Sequence, residues 1–134
     1  MNTALKLKGI HHIAIICSNY ELSKKFYTEI LGLEIIKETH RVARQSYKLD
    51  LKLNDRYQVE LFSLPHPPPR PSQPEACGLR HLAFDVDDIE DAIATLHNRG
   101  VLTEPVRVDE ITNKRFTFFA DPDGLPLELY ENRL

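Results

Sequence analysis

GIHHIAI at residues 9–15 returns as GLRHLAF at residues 78–84, an offset of 69 residues from His12 to His81. Each copy begins with glycine, carries a histidine at its fourth position and is otherwise largely apolar. A segment with apolar residues at helical spacing follows each copy, and each such segment ends before a glycine, as helices commonly do. A repeat of this length indicates one structural unit present twice in the chain.

Extended segments follow each predicted helix, and Asn54-Asp55 and Asp121-Pro122-Asp123-Gly124 supply turn residues between them. We expect strands at about 33–39, 47–53 and 57–64 in the first copy and at about 103–108, 115–120 and 126–131 in the second. This order predicts an α+β fold of two tandem βαβββ modules.

Prolines dominate the stretch between the two copies, at residues 65–77. Because proline lacks an N–H and has a fixed φ, this stretch cannot continue a helix or form a central strand. We therefore expect a single domain over residues 8–131, made of module 8–64, an extended Pro-rich bridge at 65–77 and module 78–131. A proline-rich ligand for a partner's aromatic groove is the alternative interpretation of the bridge.

The composition of the chain argues against several classes of function. The 134 residues carry 17 basic and 20 acidic side chains, a formal charge of −3 with no basic stripe, so we expect no nucleic-acid partner. No run approaches the roughly 20 apolar residues of a spanning helix, and the N-terminus lacks the apolar core of a signal peptide. We therefore expect a cytoplasmic protein without a membrane role, in which Cys17 and Cys77 are reduced.

Glu60 and Glu128 each interrupt an otherwise apolar predicted strand, at an offset of 68 residues. A buried carboxylate is normally paired, protonated or bound to a cation, and strand alternation puts both glutamates opposite their apolar neighbours. Two imidazoles and two carboxylates form a mixed N/O set that suits Zn²⁺, Ni²⁺, Co²⁺, Mn²⁺ or Fe²⁺. The sequence therefore predicts one divalent metal ion held by His12, Glu60, His81 and Glu128, with room for water or substrate on the ion.

These motifs resemble the vicinal oxygen chelate superfamily, which includes glyoxalase I, methylmalonyl-CoA epimerase, extradiol dioxygenases and bleomycin-resistance proteins. The resemblance runs from about Lys8 to Glu131 and includes both histidine strands, both glutamate strands, the helix and its exit at 23–33, and the turn at 121–124. It implies that the two modules pair into a curved, open mixed-sheet cup around the metal.

The ligand order His, Glu, His, Glu resembles that of bacterial glyoxalase I. This resemblance implies a metal-dependent lyase or isomerase that works through an enediolate on a small oxo compound or its thiol adduct. It implies further that Glu128 is the base that moves a proton on the carbon next to the substrate carbonyl, and that Glu60 is a ligand that can serve as a second acid or base. Arg44 and Arg115 are expected to bind an anionic substrate, and the resemblance implies a homodimer.

Two other functions remain open at this point. An acyl-thioester epimerase of the same superfamily would use nearly the same site, and a non-catalytic module would bind a small molecule or metal without turnover. The sequence leaves open the substrate, the metal, a role for glutathione, and whether the metal site forms within one chain or across a dimer.

Overall fold

The structure, a computed structural model, describes residues 4–133. The chain divides into two compact units, with the boundary between Pro67 and Pro68. Within the described residues, no helix is long and apolar enough to cross a membrane.

The first unit is a four-stranded mixed sheet with one helix. Strands β1 and β4 are parallel neighbours, the other pairs are antiparallel, and the strand order is β1-β4-β3-β2. Helix α1 continues directly into a π-helical stretch, and a short 3₁₀ turn at Val42–Arg44 follows β2. The elements are β1 (His12–Cys17), α1 (Tyr20–Lys25), the π-helical stretch (Phe26–Ile30), β2 (Glu34–Arg41), β3 (Ser46–Lys52) and β4 (Gln58–Ser63).

The second unit repeats this topology. Its strand order is β5-β8-β7-β6, again with one parallel pair, β5 and β8. The elements are β5 (Leu82–Val86), α2 (Ile89–Asn98), β6 (Arg107–Val108), β7 (Arg115–Ala120) and β8 (Pro126–Glu131). The predicted α+β fold of two βαβββ modules is thus confirmed.

Local sequence sets the ends of both helices. The side chain of Asn19 accepts a hydrogen bond from the backbone N–H of Leu22 at 3.2 Å, and Asp88 accepts from Asp91 at 3.0 Å, which satisfies N–H groups in the first turn. After the helices, Gly32 and Gly100 have φ values of 79° and 83°, a conformation that glycine adopts without steric cost.

The core of each unit lies between one face of the sheet and the helix. Val59 and Leu61 are buried in β4, and Leu127 and Leu129 are buried in β8. Helix α1 packs against β4 and helix α2 against β8. Because side chains alternate along a strand, the residues between these apolar positions lie on the opposite, polar face of each sheet. This polar face carries the candidate site.

The predicted strand at 103–108 is shorter than expected and comprises Arg107–Val108 alone. The preceding residues still follow β7, since the N–H of Glu104 donates to the carbonyl of Phe118 at 2.9 Å and the hydroxyl of Thr117 donates to the carbonyl of Glu104 at 2.7 Å. Pro105 cannot donate to a strand ladder, which explains the irregular backbone beside it.

The Pro-rich stretch contains the boundary between the units, and its residues from Pro68 onward belong to the second unit. Arg70 ties it to the second unit by donating from Nη2 to the carbonyl oxygens of Leu79 at 2.7 Å and Arg80 at 2.9 Å. The Arg70 Nε also donates to the hydroxyl of Ser72 at 2.9 Å. These bonds fix the stretch against the backbone that leads into His81.

Candidate functional site

The first imidazole–carboxylate pair lies on two neighbouring parallel strands. His12 is the first residue of β1, and Glu60 lies in β4 with Ala14 as its strand partner. The Nδ1 of His12 is 3.5 Å from Oε2 of Glu60, and the side chain of Glu60 is only 12% exposed. Parallel pairing of β1 with β4 therefore brings together two residues that are far apart in the sequence.

The second pair has the same construction in the second unit. His81 directly precedes β5, and Glu128 lies in β8 with Ala83 as its strand partner. The Nε2 of His81 is 3.4 Å from Oε1 of Glu128, whose side chain is also 12% exposed. The duplication of sequence is therefore a duplication of geometry, with one imidazole and one carboxylate on the polar face of each sheet.

Each pair, taken by itself, is compatible in chemistry and in spacing with ligation of a divalent ion. The two separations, 3.4 and 3.5 Å, are longer than a charge-assisted hydrogen bond of about 2.8 Å. Two donors that each lie about 2.1 Å from one ion can be up to about 4.2 Å apart, so both separations are compatible with coordination. Within residues 4–133, the structure assembles no group of three or more His, Cys, Asp or Glu that could hold a metal, so the four-ligand site stays a prediction.

His11 contacts His12, which strand alternation alone does not predict. Its Nδ1 lies 2.9 Å from the Nδ1 of His12, and the two rings meet edge to face at 5.2 Å. His11 precedes β1, so strand alternation does not fix the direction of its side chain. His11 thus contacts the same nitrogen of His12 that faces Glu60.

The neighbours of the two glutamates differ sharply. In the first unit, Asp50 is the strand partner of Glu60, and the ammonium of Lys48 is 3.4 Å from the Asp50 carboxylate and 3.8 Å from the Glu60 carboxylate. In the second unit, the corresponding strand β7 carries Phe116 and Phe118, and Phe118 is the strand partner of Glu128. One carboxylate therefore has a charged neighbourhood and the other an aromatic one.

Arg115 lies in a group of ion pairs, and its role in substrate binding stays a prediction. Its guanidinium donates to both carboxylate oxygens of Glu131, at 3.0 and 2.9 Å, and to Glu90 at 2.9 Å. Arg115 precedes Phe116 in β7 and therefore lies on the face opposite Phe116 and Phe118, towards α2. This bidentate contact with Arg115, together with a hydrogen bond from the backbone N–H of Ile89, holds the pKa of Glu131 below its usual range. Arg115 thus joins a strand to a helix.

Arg44 is exposed at the end of the 3₁₀ turn Val42–Arg44. Its placement neither brings it to one of the imidazole–carboxylate pairs nor tests its predicted role. Arg107 is the arginine that lies beside the second pair, because its guanidinium carbon is 5.1 Å from the ring centroid of Phe116 and 5.4 Å from that of Phe118. No signal in the sequence singles out Arg107, since it lies in the short strand β6, whose extent differs most from the prediction.

Two sheets of this topology, each with a helix on one face and an imidazole–carboxylate pair on the other, define a glyoxalase-like fold. The model of the Glyoxalase/Bleomycin resistance protein/Dioxygenase superfamily matches residues 9–129. The chain belongs to this superfamily.

The chain is 62% identical over 125 residues to the uncharacterized protein YwkD of Bacillus subtilis, which covers 93% of this chain and 98% of YwkD. The crystal structure of a glyoxalase family protein from Enterococcus faecalis matches with a TM-score of 0.88 and 56% identity, over 92% of this chain and 98% of that one. More distant relatives are enzymes of differing activity. They include a metallothiol transferase FosB of Staphylococcus haemolyticus (30% identical, 96% of this chain and 86% of that one), a 2-epi-5-epi-valiolone epimerase of Actinomyces (28%, 90% and 78%) and the lactoylglutathione lyase of Schizosaccharomyces pombe (26%, 95% and 48%).

Proposed function

We propose that this protein is a metal-dependent lyase or isomerase of the glyoxalase I type that acts on a small oxo compound or its thiol adduct through an enediolate. The observation that carries the proposal is the duplicated pair of imidazole and carboxylate on the polar sheet faces, with donor separations of 3.5 and 3.4 Å. The relationship to a lactoylglutathione lyase is consistent with this class of reaction.

His12, Glu60, His81 and Glu128 would hold the metal, one imidazole and one carboxylate from each unit. When bound, a divalent ion polarises a substrate carbonyl and makes the neighbouring C–H more acidic. The N/O donor set is compatible with zinc, nickel, cobalt, manganese or iron.

The neighbours of the two carboxylates support a division of roles between them. Lys48 lies 3.8 Å from Glu60 and can hold its carboxylate in a fixed position, as a ligand requires. Glu128 has Phe118 as its strand partner, and we assign to it the proton transfer at the carbon next to the carbonyl. Glu60 can then act as the second acid or base if it leaves its contact with Lys48.

The experiment that tests the proposal combines metal content with turnover. The purified full chain, with Glu60→Gln and Glu128→Gln variants, is assayed for bound metal and then for hemithioacetal turnover with Ni²⁺, Co²⁺ or Zn²⁺ restored. We expect near-stoichiometric metal in the wild type, weaker metal binding in both variants, and loss of turnover in Glu128→Gln. Glu29→Gln is the control, since the side chain of Glu29 is 66% exposed. Absence of metal binding by the wild type would refute the proposal.

An acyl-thioester epimerase is the second candidate, because one relative is an epimerase and proton removal next to a carbonyl is common to both reactions. Exchange of the α-proton of a thioester into deuterated water, without hemithioacetal turnover, would favour it. Metal binding without either reaction would indicate a binding module. We further propose that the protein is a homodimer, which sedimentation would test.

A further inference from the structure

A cavity of about 570 Å³ lies in the second unit beside His81. Its walls come from the Pro-rich stretch at 70–76, from residues 102–107 and from β7. The volume is in the range of small-molecule sites. Because Arg70 holds the Pro-rich stretch against the carbonyls of Leu79 and Arg80, this wall is fixed next to the candidate metal ligand.

The charge of the cavity walls is opposite to that of the whole chain. Three arginines and two glutamates line the cavity and leave a formal charge of +1, whereas the chain as a whole carries −3. Arg70 is committed to backbone carbonyls, and Arg80 is paired with Glu75 at 2.6 Å. Arg107 is therefore the most available cation, since a guanidinium has five N–H donors and its contact to Glu104, at 2.8 Å, uses Nη2.

The pairing of Arg107 with Glu104 does not prevent it from binding an anion. Both side chains are more than half exposed, at 54% and 55%, and exposed ion pairs of this kind are weak. Arg107 also lines a second cavity of about 440 Å³, together with Glu128, Phe116 and Tyr130. Arg107 therefore lines both the cavity beside His81 and the cavity beside Glu128.

Phe118 connects this arginine to the candidate metal ligand. Its ring meets the ring of His81 edge to face at 5.1 Å, and the Arg107 guanidinium carbon lies 5.4 Å from its centroid. A planar group packed against Phe118 would therefore lie near both the Arg107 guanidinium and the His81 ring. Unsaturated groups pack favourably against an aromatic ring in this way.

We propose that this cavity binds a small oxo acid, with its carboxylate on Arg107 and its planar, unsaturated part against Phe118. The inference rests on the proposed function for the position of the reacting carbonyl, towards His81 and Glu128. It narrows the substrate class from oxo compounds in general to anionic ones.

Binding of phenylglyoxylate and of its neutral methyl ester to the full chain tests the inference. Titrations followed by NMR of the backbone amides give both dissociation constants, before and after removal of metal with EDTA. We expect saturable binding of the acid that shifts the amides of Arg107 and Phe118, and an affinity for the acid at least fivefold above that for the ester. Equal affinities, or no saturable binding of the acid, would overturn the inference.

Variants separate the roles of charge and ring. Arg107→Gln is expected to weaken binding of the acid about tenfold and binding of the ester little, because a charge-assisted hydrogen bond is lost. Arg107→Lys should keep the preference for the acid, and Phe118→Leu should weaken both ligands to a similar extent. Arg56→Gln is the matched control, since the Arg56 guanidinium carbon also lies over a ring, that of Tyr57 at 5.9 Å, in the first unit. An equal loss in Arg107→Gln and Arg56→Gln would contradict the assignment.

The binding measurements and the turnover assays can fail separately. Preference for the acid without hemithioacetal or thioester turnover would support this inference and count against the proposed function. Turnover without a preference for the acid would support the proposed function and overturn this inference.

Discussion

Replacement of Lys48 by methionine tests how the first carboxylate is held. The ammonium of Lys48 lies 3.4 Å from Asp50 and 3.8 Å from Glu60, whose side chains are 17% and 12% exposed. Asp50 and Glu60 are strand partners and their side chains share a face of the sheet. Methionine keeps the length and apolar stem of lysine but leaves the two carboxylates adjacent to each other without a cation.

The magnitude follows from these distances and exposures. Each contact is worth about 4 kcal/mol of Coulomb energy at an effective dielectric constant of about 20. Desolvation and side-chain ordering offset most of this, because Lys48 is itself only 33% exposed. Exposed pairs contribute about 1 kcal/mol or less, and breaking a buried pair costs about 3–5 kcal/mol. We expect Lys48→Met to lower the free energy of unfolding of the metal-free protein by about 2 kcal/mol, between these limits.

Urea unfolding of the EDTA-treated protein measures this loss. Lys52→Met is the matched control on the same face of β3, because Lys52 pairs with Glu34 and Asp55, whose side chains are 72% and 103% exposed. This control is expected to lose less than about 1 kcal/mol. Equal losses in both variants would refute this account of how Glu60 is held.

Three further predictions concern the second unit. Leu127→Ala, at a position with 0% exposure, is expected to lower the free energy of unfolding by about 3 kcal/mol, whereas Leu102→Ala, at 80% exposure, should change it by less than about 0.5 kcal/mol; urea unfolding measures both. The pKa of Glu131 in the folded protein is lower than its ordinary value of 4.5. Ionised Glu131 therefore stabilises the fold above pH 4.5, and this stabilisation is lost as the pH falls through the pKa of the folded state. Arg115→Gln should therefore flatten the fall in melting temperature below pH 4.5, and an unchanged acid dependence would argue against the pairing. Arg70→Met is expected to speed proteolysis within residues 70–80, as mapped by mass spectrometry, because the bonds to two backbone carbonyls are lost.

The fold was predictable because its signals are local and occur twice. Apolar alternation around Glu60 and Glu128, helical spacing before Gly32 and Gly100, and a histidine at each first strand all recur at nearly one offset. A pattern found once can arise by chance, but one that recurs in the same order constrains the topology of both halves. The pairs within each unit follow from that topology, because a βαβββ unit places its first and last strands side by side.

The neighbours of the site were harder to predict because they depend on strand register. Lys48 and Asp50 alternate along β3 as they would in any half-exposed strand, and only their pairing with β4 shows that they flank Glu60. The face of the sheet on which Arg115 lies is, by contrast, predictable from the sequence. Arg115 has the same parity as Thr117 and Phe119, which are buried on the helix side, so alternation places it on that face as well.

The difference between the two halves is more informative about function than their similarity. At an offset of 68 residues, Lys48 corresponds to Phe116 and Asp50 to Phe118, while Glu60 corresponds to Glu128. Packing of the apolar core does not require these two differences, since the side chains of Lys48, Asp50, Phe116 and Phe118 all lie on the polar faces of the sheets. If the two carboxylates only held a metal, the same neighbours would serve both. The charged pair beside one carboxylate and the aromatic wall beside the other therefore support the proposed division of roles, in which Glu60 is fixed as a ligand and the second unit receives the substrate.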